Sequence, residues 1–326
     1  MILLTGGAGC IGSNLHAALA RRGLEVVIVD RLRAGGKWRN LAHHPPAQIL
    51  PPADLPDFLD GHPPIETIFH LGAVTDTAAR EADLVWESNV ALPLSLWEWC
   101  ALRGVRFIYA SSAATYGDGA AGFEDDPDPA ALARLRPLSL YGWSKHAFDL
   151  QVARLLAGGA ARPPQWVGLK FFNVYGPNEY HKGAMISVVK VKFDELVQHG
   201  VMRLFRSGRP DIPDGAQRRD FIWVGDVVDV LLWLLDRPDV NGLYNLGTGG
   251  SATYLALAEA VAAAAGREAQ IEFVDMPDAL AGQYQYRTEA AMRRLRAAGY
   301  AGPFLPLAEG VRRYVKEFLA TADPYR

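Results

Sequence analysis

Residues 1–30 read MILLTGGAGCIGSNLHAALARRGLEVVIVD, and the order of residue types in this stretch decides the fold. Met1 to Thr5 is a short apolar run. Gly6, Gly9 and Gly12 follow in a GxxGxxG spacing, and an amphipathic stretch then continues to Arg22. A second apolar run, Glu25 to Val29, ends in Asp30. Strand, tight glycine turn, helix and strand in that order open a parallel sheet. Glycine allows the turn and lets backbone amides approach a pyrophosphate, whose charge the following helix N-terminus favours. A glycine triplet alone means little. Placed between a strand and a helix, with an acid closing the next strand, it predicts a dinucleotide site at Gly6, Gly9, Cys10, Ile11 and Gly12; a purely structural turn is the plain alternative.

Further along, Ile65 to His70, Phe107 to Ala110 and Trp166 to Phe172 read as buried strands, with helices over about 84–103 and 139–156 between them. Residues 43–64 are rich in proline and read as an irregular connection with at most one short helix. After Asn173 the alternation breaks down: a helix from about Met185 to His199, a loop over 206–219, a strand end and helix over 220–235, and a strand from Gly242 to Leu246. The expected architecture is α/β, a Rossmann-type doubly wound parallel sheet with a smaller C-terminal α/β substrate-binding domain. Residues 1–173, with segments near 219–248, would form the first, and 174–218 with 249–326 the second.

Composition narrows the function. The chain has 326 residues, half of them hydrophobic, and a formal charge of -3 with both signs interspersed, so no basic face advertises nucleic acid. No apolar run approaches membrane-spanning length, and the chain enters its first strand without a charged leader. The two cysteines, Cys10 and Cys100, offer neither a disulfide framework nor a metal-ligand spacing. A soluble cytoplasmic protein with no metal site is expected.

Asp30 is placed to hold adenosine ribose hydroxyls, as in NAD sites. Yet Arg31, Arg33 and Lys37 crowd the same loop, and such a cluster neutralises a 2′-phosphate, with the Arg31 guanidinium the best-shaped donor. The pattern favours NADP and leaves NAD open. Leu71, Gly72 and Ala73 close a strand with small residues that let backbone pass near a cofactor, and Asn89 either braces this region or is a packing amide.

Ser111 and Ser112 end another strand at the carboxyl edge where ligands bind in such sheets. Either hydroxyl could hydrogen-bond a substrate oxygen passing between alcohol and carbonyl, and spacing alone does not choose between them. Tyr141 and Lys145 stand four apart in YGWSK, hence on one helix face. A lysine beside the phenol is expected to lower its pKa toward a useful range. No histidine or acid accompanies the serines in a nucleophile-elbow context, which argues against acyl transfer.

Together these segments resemble the extended short-chain dehydrogenase/reductase family, whose members act on nucleotide-linked sugars, and within it the ADP-heptose 6-epimerases. The likeness runs almost the full length, through LLTGGAGCIGSN, YASSAATYG from Tyr109, LYGWSKHAFD from Leu140, FFNVYGPNEYHKGAM from Phe171, RRDFIWVGDVVDV from Arg218, YNLGTG from Tyr244 and PDALAGQYQ from Pro277. The HKGAM and PDALAGQYQ segments are the more specific to the heptose epimerases. The resemblance implies transient oxidation at carbon six of an ADP-linked heptose by NADP, converting the D-glycero to the L-glycero epimer for the lipopolysaccharide inner core. It implies Tyr141 and Lys182 as two acid/bases, Lys145 as the residue that positions the cofactor and tunes Tyr141, and Ser112 rather than Ser111 at the oxygen. Asn173, Ala184, Arg219 and Tyr284 fall at substrate positions and Phe205, Arg206 and Ser207 on the nucleotide side. A homo-oligomer is also implied, with a pentamer as the candidate form.

Read from the residues alone, Lys182 is a surface lysine, Arg219 either clamps a diphosphate or pairs with Asp220 or Asp226, and Tyr284 and Tyr286 alternate on a short strand where core packing competes. The chain departs from the heptose-epimerase pattern at Leu71 (an acid expected), Cys10 (phenylalanine expected), Ala184 (serine expected) and in a longer loop over 211–217. Competing expectations are another sugar-nucleotide epimerase or reductase of the same family, and a non-catalytic NADP sensor. Ala113 and Ala114, in place of an acidic pair after Ser112, argue against a dehydratase.

Overall fold

The computed structural model describes residues 1–277 and 284–326. Its centre is a seven-stranded sheet, all of whose neighbouring strands pair in parallel. The first six strands in chain order are β1 (Ile2–Thr5), β2 (Val26–Val29), β3 (Gln48–Leu50), β4 (Thr67–His70), β5 (Arg106–Ser112) and β6 (Trp166–Phe171). Six shorter or later strands follow as β7 (Asn173–Tyr175), β8 (Met202–Phe205), β9 (Arg218–Arg219), β10 (Phe221–Trp223), β11 (Gly242–Leu246) and β12 (Ala252–Thr253), with β13 (Ile271–Val274) last. The sheet runs β11-β6-β5-β4-β1-β2-β3.

Side chains alternate across a strand, and here the alternation sorts the core into two layers. Ile2, Leu4, Val26, Ile28 and Phe69 pack with Leu15, Leu19, Val227 and Leu231 from helices Cys10–Arg21 and Val224–Asp236. Leu3, Val27, Val29, Ile68 and Phe107 face the other way, onto Leu96, Trp97, Phe148 and Val152 of helices Leu92–Arg103 and Leu140–Ala157. Strands buried on both faces read as continuous apolar runs, as these do. The chain builds outward from β1 to β3 and then crosses back to lay β4 against the other side of β1. Strand order therefore reverses between β1 and β4, and a crevice opens beyond their carboxyl ends.

The later segments build a separate layer. β7 pairs with β10 and β8 with β13 in parallel, while β9 pairs with β12 antiparallel. A third core gathers Val189, Phe193, Leu257, Val261, Val311 and Tyr314 from helices Val188–His199, Tyr254–Ala265 and Leu307–Tyr314. On these pairings we propose the division at 173 given above. No helix among the described residues is long and apolar enough to cross a membrane.

Two sequence expectations need correction. Residues 43–64 contain an edge strand, β3, besides helix Leu55–Asp60. Three residues flanked by prolines carry no readable period; pairing with Val27–Val29 makes the strand. Tyr284 and Tyr286 lie on no strand: among the described residues the nearby ladder contact is a bridge between Arg218 and Arg287, and the two rings meet edge-on with centroids 5.2 Å apart.

Candidate active site

The crevice at the strand reversal is a cavity of about 750 Å³. One end is built by the glycine turn. Gly6 adopts φ +70°, and a Cβ there would lie 2.6 Å from the Gly72 nitrogen, so the loops after β1 and β4 touch through backbone. A Cβ on Gly12 would sit 2.2 Å from the Gly6 carbonyl oxygen. No side chain caps helix Cys10–Arg21, and no acid stands in its first turn. Gly9, Cys10, Ile11 and Gly12 instead line the cavity, where unpartnered first-turn amides suit a phosphate.

Asp30 accepts from the Ala8 amide at 2.8 Å, which ties β2 to the glycine turn, and from Lys37 Nζ at 2.5 Å. Lys37 also donates to the Arg31 carbonyl at 3.1 Å. The charge of Asp30 is thus offset, while the exposed Arg31 and Arg33 remain at the cavity rim. Asn89 does not border the cavity. Its amide accepts from the Val74 nitrogen at 2.8 Å and donates to the Val74 carbonyl at 2.9 Å and to Ser144 Oγ at 2.9 Å. It braces the Leu71–Val74 loop against the helix that carries Tyr141, at a π-turn over Glu87–Ala91; its placement among cofactor contacts is corrected to a supporting one.

The other end of the cavity holds Ser112, Tyr141, Lys145, Lys182, Asn173 and Ala184. Adjacent strand residues point to opposite faces, and this separates the two serines. Ser111 Oγ donates to buried Asp149 of helix Leu140–Ala157 at 2.6 Å and is engaged there. Ser112 caps the turn that follows, accepting from the Ala114 amide at 3.1 Å, and stands beside the Tyr141 phenol. Gly142 lets the helix come this close: a Cβ there would meet the Ala114 carbonyl at 2.7 Å.

The expected tuning of Tyr141 by Lys145 is not what the geometry shows. Lys145 Nζ turns to the Ala110 carbonyl at 2.9 Å, and burial pushes its pKa down to about 8 while Asp149 opposes the shift. Burial raises the Tyr141 pKa; Ser112 and the charge of Lys182 pull it back, and Asp149 raises it. The cation acting on the phenol therefore comes from the facing segment. Burial works against the Lys182 ammonium, but Cys10, Glu179 and Tyr141 outweigh it and leave its pKa above the usual value. Its Nζ lies 3.9 Å from Glu179, whose carboxylate is fully buried and held by the Ser187 amide (2.8 Å), Ser187 Oγ (2.5 Å) and Tyr314 (2.9 Å). Lys182 is thus anchored rather than a loose surface residue.

Sequence reasoning missed Thr5, His70, Asp149 and Glu179. Thr5 Oγ1 accepts from the Gly72 amide at 3.1 Å and is hydrogen-bonded to His70 Nδ1 at 2.8 Å, which orients the imidazole. Burial, then Lys145, push His70 down to about 3, so it stays neutral beside that lysine. Asp149 could have been found: it continues the Tyr141, Lys145 stripe by one more helical turn. Glu179 sits in the quoted NEYHKG segment, with no local pattern to mark it.

Arg219 and Tyr284 do not line this cavity. Arg219 is 6 % exposed and pairs with neither Asp220 nor Asp226; its guanidinium lies over the rings of Tyr284 (4.9 Å) and Tyr254 (5.7 Å). Gln217 links them to Phe205 and Arg206 by bonds of 3.2 and 3.3 Å to their carbonyls. The Arg206 side chain is held by Asp214 (3.2 Å) and Asp275 (3.4 Å), and the Ser207 amide donates to Asp214 at 2.7 Å. These residues form a second neighbourhood, joined to the first where β7 pairs with β10, Asn173 opposite Phe221. Of the PDALAGQYQ segment, 278–283 lie outside the described residues.

The model of one family, described as the NAD dependent epimerase/dehydratase family, matches residues 2–247. The chain belongs to that family. Over the full length of both chains it is 47% identical to the ADP-L-glycero-D-manno-heptose-6-epimerase of Nitratidesulfovibrio vulgaris, and 39% identical to the enzyme of that name from Fusobacterium nucleatum. Among solved structures it is similar to the ADP-L-glycero-D-manno-heptose-6-epimerase of Helicobacter pylori, with 25% identity and a TM-score of 0.77 over 97% of this chain and 95% of that one. A UDP-glucose 4-epimerase from Thermus thermophilus, in complex with NAD, is 28% identical with a TM-score of 0.74, covering 95% and 96%. The expected family and fold are borne out, and an epimerase with a nicotinamide dinucleotide cofactor fits the company the chain keeps.

Proposed function

We propose that this protein inverts carbon six of an ADP-linked heptose, using tightly held NADP. The observation that carries the proposal is the pairing of two proton-carrying side chains, Tyr141 and Lys182, on different elements of one cavity with Ser112 beside them. Bound there, NADP would supply a hydride acceptor that later gives the hydride back to the same carbon. Gly9, Cys10, Ile11 and Gly12 would hold its pyrophosphate, and Leu71, Gly72 and Ala73 would flank it. Lys145 and Ser112 would hold the reacting end, with Ser112 on the substrate oxygen.

Inversion requires that the oxygen on the reacting carbon be served from two directions, because the face that is attacked changes. One phenol fixed on helix Leu140–Ala157 covers one direction. Lys182, anchored by Glu179 on the opposite wall, covers the other. Asn173, Ala184 and Met185 border the same space and would flank the sugar, while Arg219 between its two aromatic rings would take the nucleotide side.

The choice of NADP rests on Arg31 and Arg33 at the rim and on Lys37 offsetting Asp30. Arg31→Ala should weaken NADP binding about ten- to a hundredfold, the worth of a charge-assisted hydrogen bond of roughly 1.5–3 kcal/mol, and leave NAD binding nearly unchanged. Titration of the purified variant with each dinucleotide checks this; equal losses for both would move the selectivity to another residue. The purified enzyme should also release a 2′-phosphorylated dinucleotide on denaturation, and release of NAD alone would refute the NADP assignment.

A further inference from the structure

Directly behind the reacting end lies an ion pair that the proposed chemistry does not use. Lys170 and Asp149 have no exposed side-chain surface, and Lys170 Nζ stands 3.0 Å from Asp149 Oδ2. Each partner is further bound. Asp149 accepts from Ser111 at 2.6 Å and Tyr109 at 3.3 Å. Lys170 donates to Thr115 Oγ1 at 2.7 Å and lies over the Tyr116 ring at 4.7 Å, while Thr115 donates to the Ser112 carbonyl at 2.8 Å. Lys170 sits opposite Ser111 in the β5–β6 ladder, and Asp149 is one turn beyond Lys145 and two beyond Tyr141.

We infer that Asp149 and Lys170 are positioning residues: together they form a strut that fixes the helix bearing Tyr141 and Lys145 against the strand end bearing Ser112. The strut reaches both sides of the reacting centre. Through Ser111 and Thr115 it holds the backbone on either side of Ser112, and through the helix it sets where the phenol stands. A buried pair of this kind costs desolvation, and hydrophobic residues of the same volume would often serve stability as well or better. Its presence under the reacting residues is accounted for by orientation and by charge. The Asp149 carboxylate, two turns from Tyr141, favours the protonated phenol, and the Lys170 ammonium beside it opposes that field. The other groups facing this region are Ser112 and Lys182 at Tyr141, His70 at Lys145, and Tyr109, Tyr116 and His146 around Asp149.

The inference rests on Tyr141 being an acid/base, and the test separates the two. The pH dependence of kcat is measured for the wild type, Lys170→Met, Lys170→Arg, Asp149→Asn, Asp149→Glu and Tyr141→Phe, each with its dinucleotide bound. Lys170→Met leaves the carboxylate unopposed and should move the limb that reports phenol deprotonation to higher pH. Asp149→Asn should move it to lower pH. Each shift should be about one unit, as for a unit charge two helical turns, about 12 Å, away at an effective dielectric of about 20. Lys170→Arg should restore the wild-type limb. Asp149→Glu keeps the charge but lengthens the strut by one methylene, so kcat should fall at least about tenfold with KM and the limb unmoved; it also decides the matter if Lys170→Met does not fold. An unmoved limb in both neutralising variants, shifts in one direction, or wild-type kcat in Asp149→Glu would overturn the strut. Full activity in Tyr141→Phe would instead overturn the role of Tyr141.

Discussion

Tyr141→Phe and Lys182→Met should each nearly abolish epimerisation while the protein keeps its dinucleotide. Loss of a positioned acid/base typically costs about 10²–10⁴ in rate, and neither residue can stand in for the other. Tyr141 is fixed beside Ser112 by a helix that Gly142 brings against the Ala114 carbonyl. Lys182 is fixed on the opposite wall by Glu179. Each variant therefore loses proton transfer from one direction only. The discriminating measurement is half-reaction chemistry: given a six-keto analogue and reduced dinucleotide, each variant should deliver hydride to one face only, and the two should form opposite epimers. Wild-type epimerisation by Lys182→Met would show that Tyr141 serves both faces.

Gly12→Ala should reduce dinucleotide affinity about a hundredfold or more. Its Cβ would fall 2.2 Å from the Gly6 carbonyl and 2.8 Å from the Gly7 Cα, and both obstacles are backbone. No rotamer relieves such a contact, so the turn must open, with a cost at or above the roughly 3 kcal/mol upper range for overpacking. Gly9→Ala separates strain in the turn from contact with the ligand. Its Cβ would meet only the Gly6 carbonyl at 3.1 Å, at an ordinary φ of -75°. A comparable loss of affinity at residue 9 in a folded protein would have to come from a ligand lying against it. Calorimetric titration of both variants distinguishes the cases; unimpaired binding by Gly12→Ala would mean that the turn does not hold the pyrophosphate.

What could be read from the sequence depended on range. The strand, glycine turn, helix and strand over residues 1–30 are local, so spacing alone carried them. The same held for Asp30 and the basic residues around it. Ser111 and Ser112 were not separable, because both end the same strand and only the position of Asp149, 38 residues from Ser111, shows which hydroxyl is already engaged. The four-residue spacing of Tyr141 and Lys145 gave their shared face but not the direction of the lysine, which a backbone carbonyl on β5 decides. Lys182 reads as a surface residue until Glu179 is seen to be buried under Ser187 and Tyr314, contacts up to 135 residues apart. Arg219 has two carboxylates close in sequence and uses neither; it packs on Tyr254 and Tyr284, which only the fold brings near.

In the proposed cycle one enzyme-bound dinucleotide takes a hydride from carbon six and gives it back to the same carbon. The most direct test is to incubate the purified enzyme with the D-glycero epimer of ADP-heptose, follow both epimers by NMR, and record reduced-dinucleotide fluorescence in the same sample. Conversion to a stable mixture of the two epimers is expected, with no steady accumulation of NADPH. Stoichiometric NADPH formation as the sugar is consumed would make the protein a dehydrogenase and contradict this cycle, as would a bound dinucleotide with no change in the sugar.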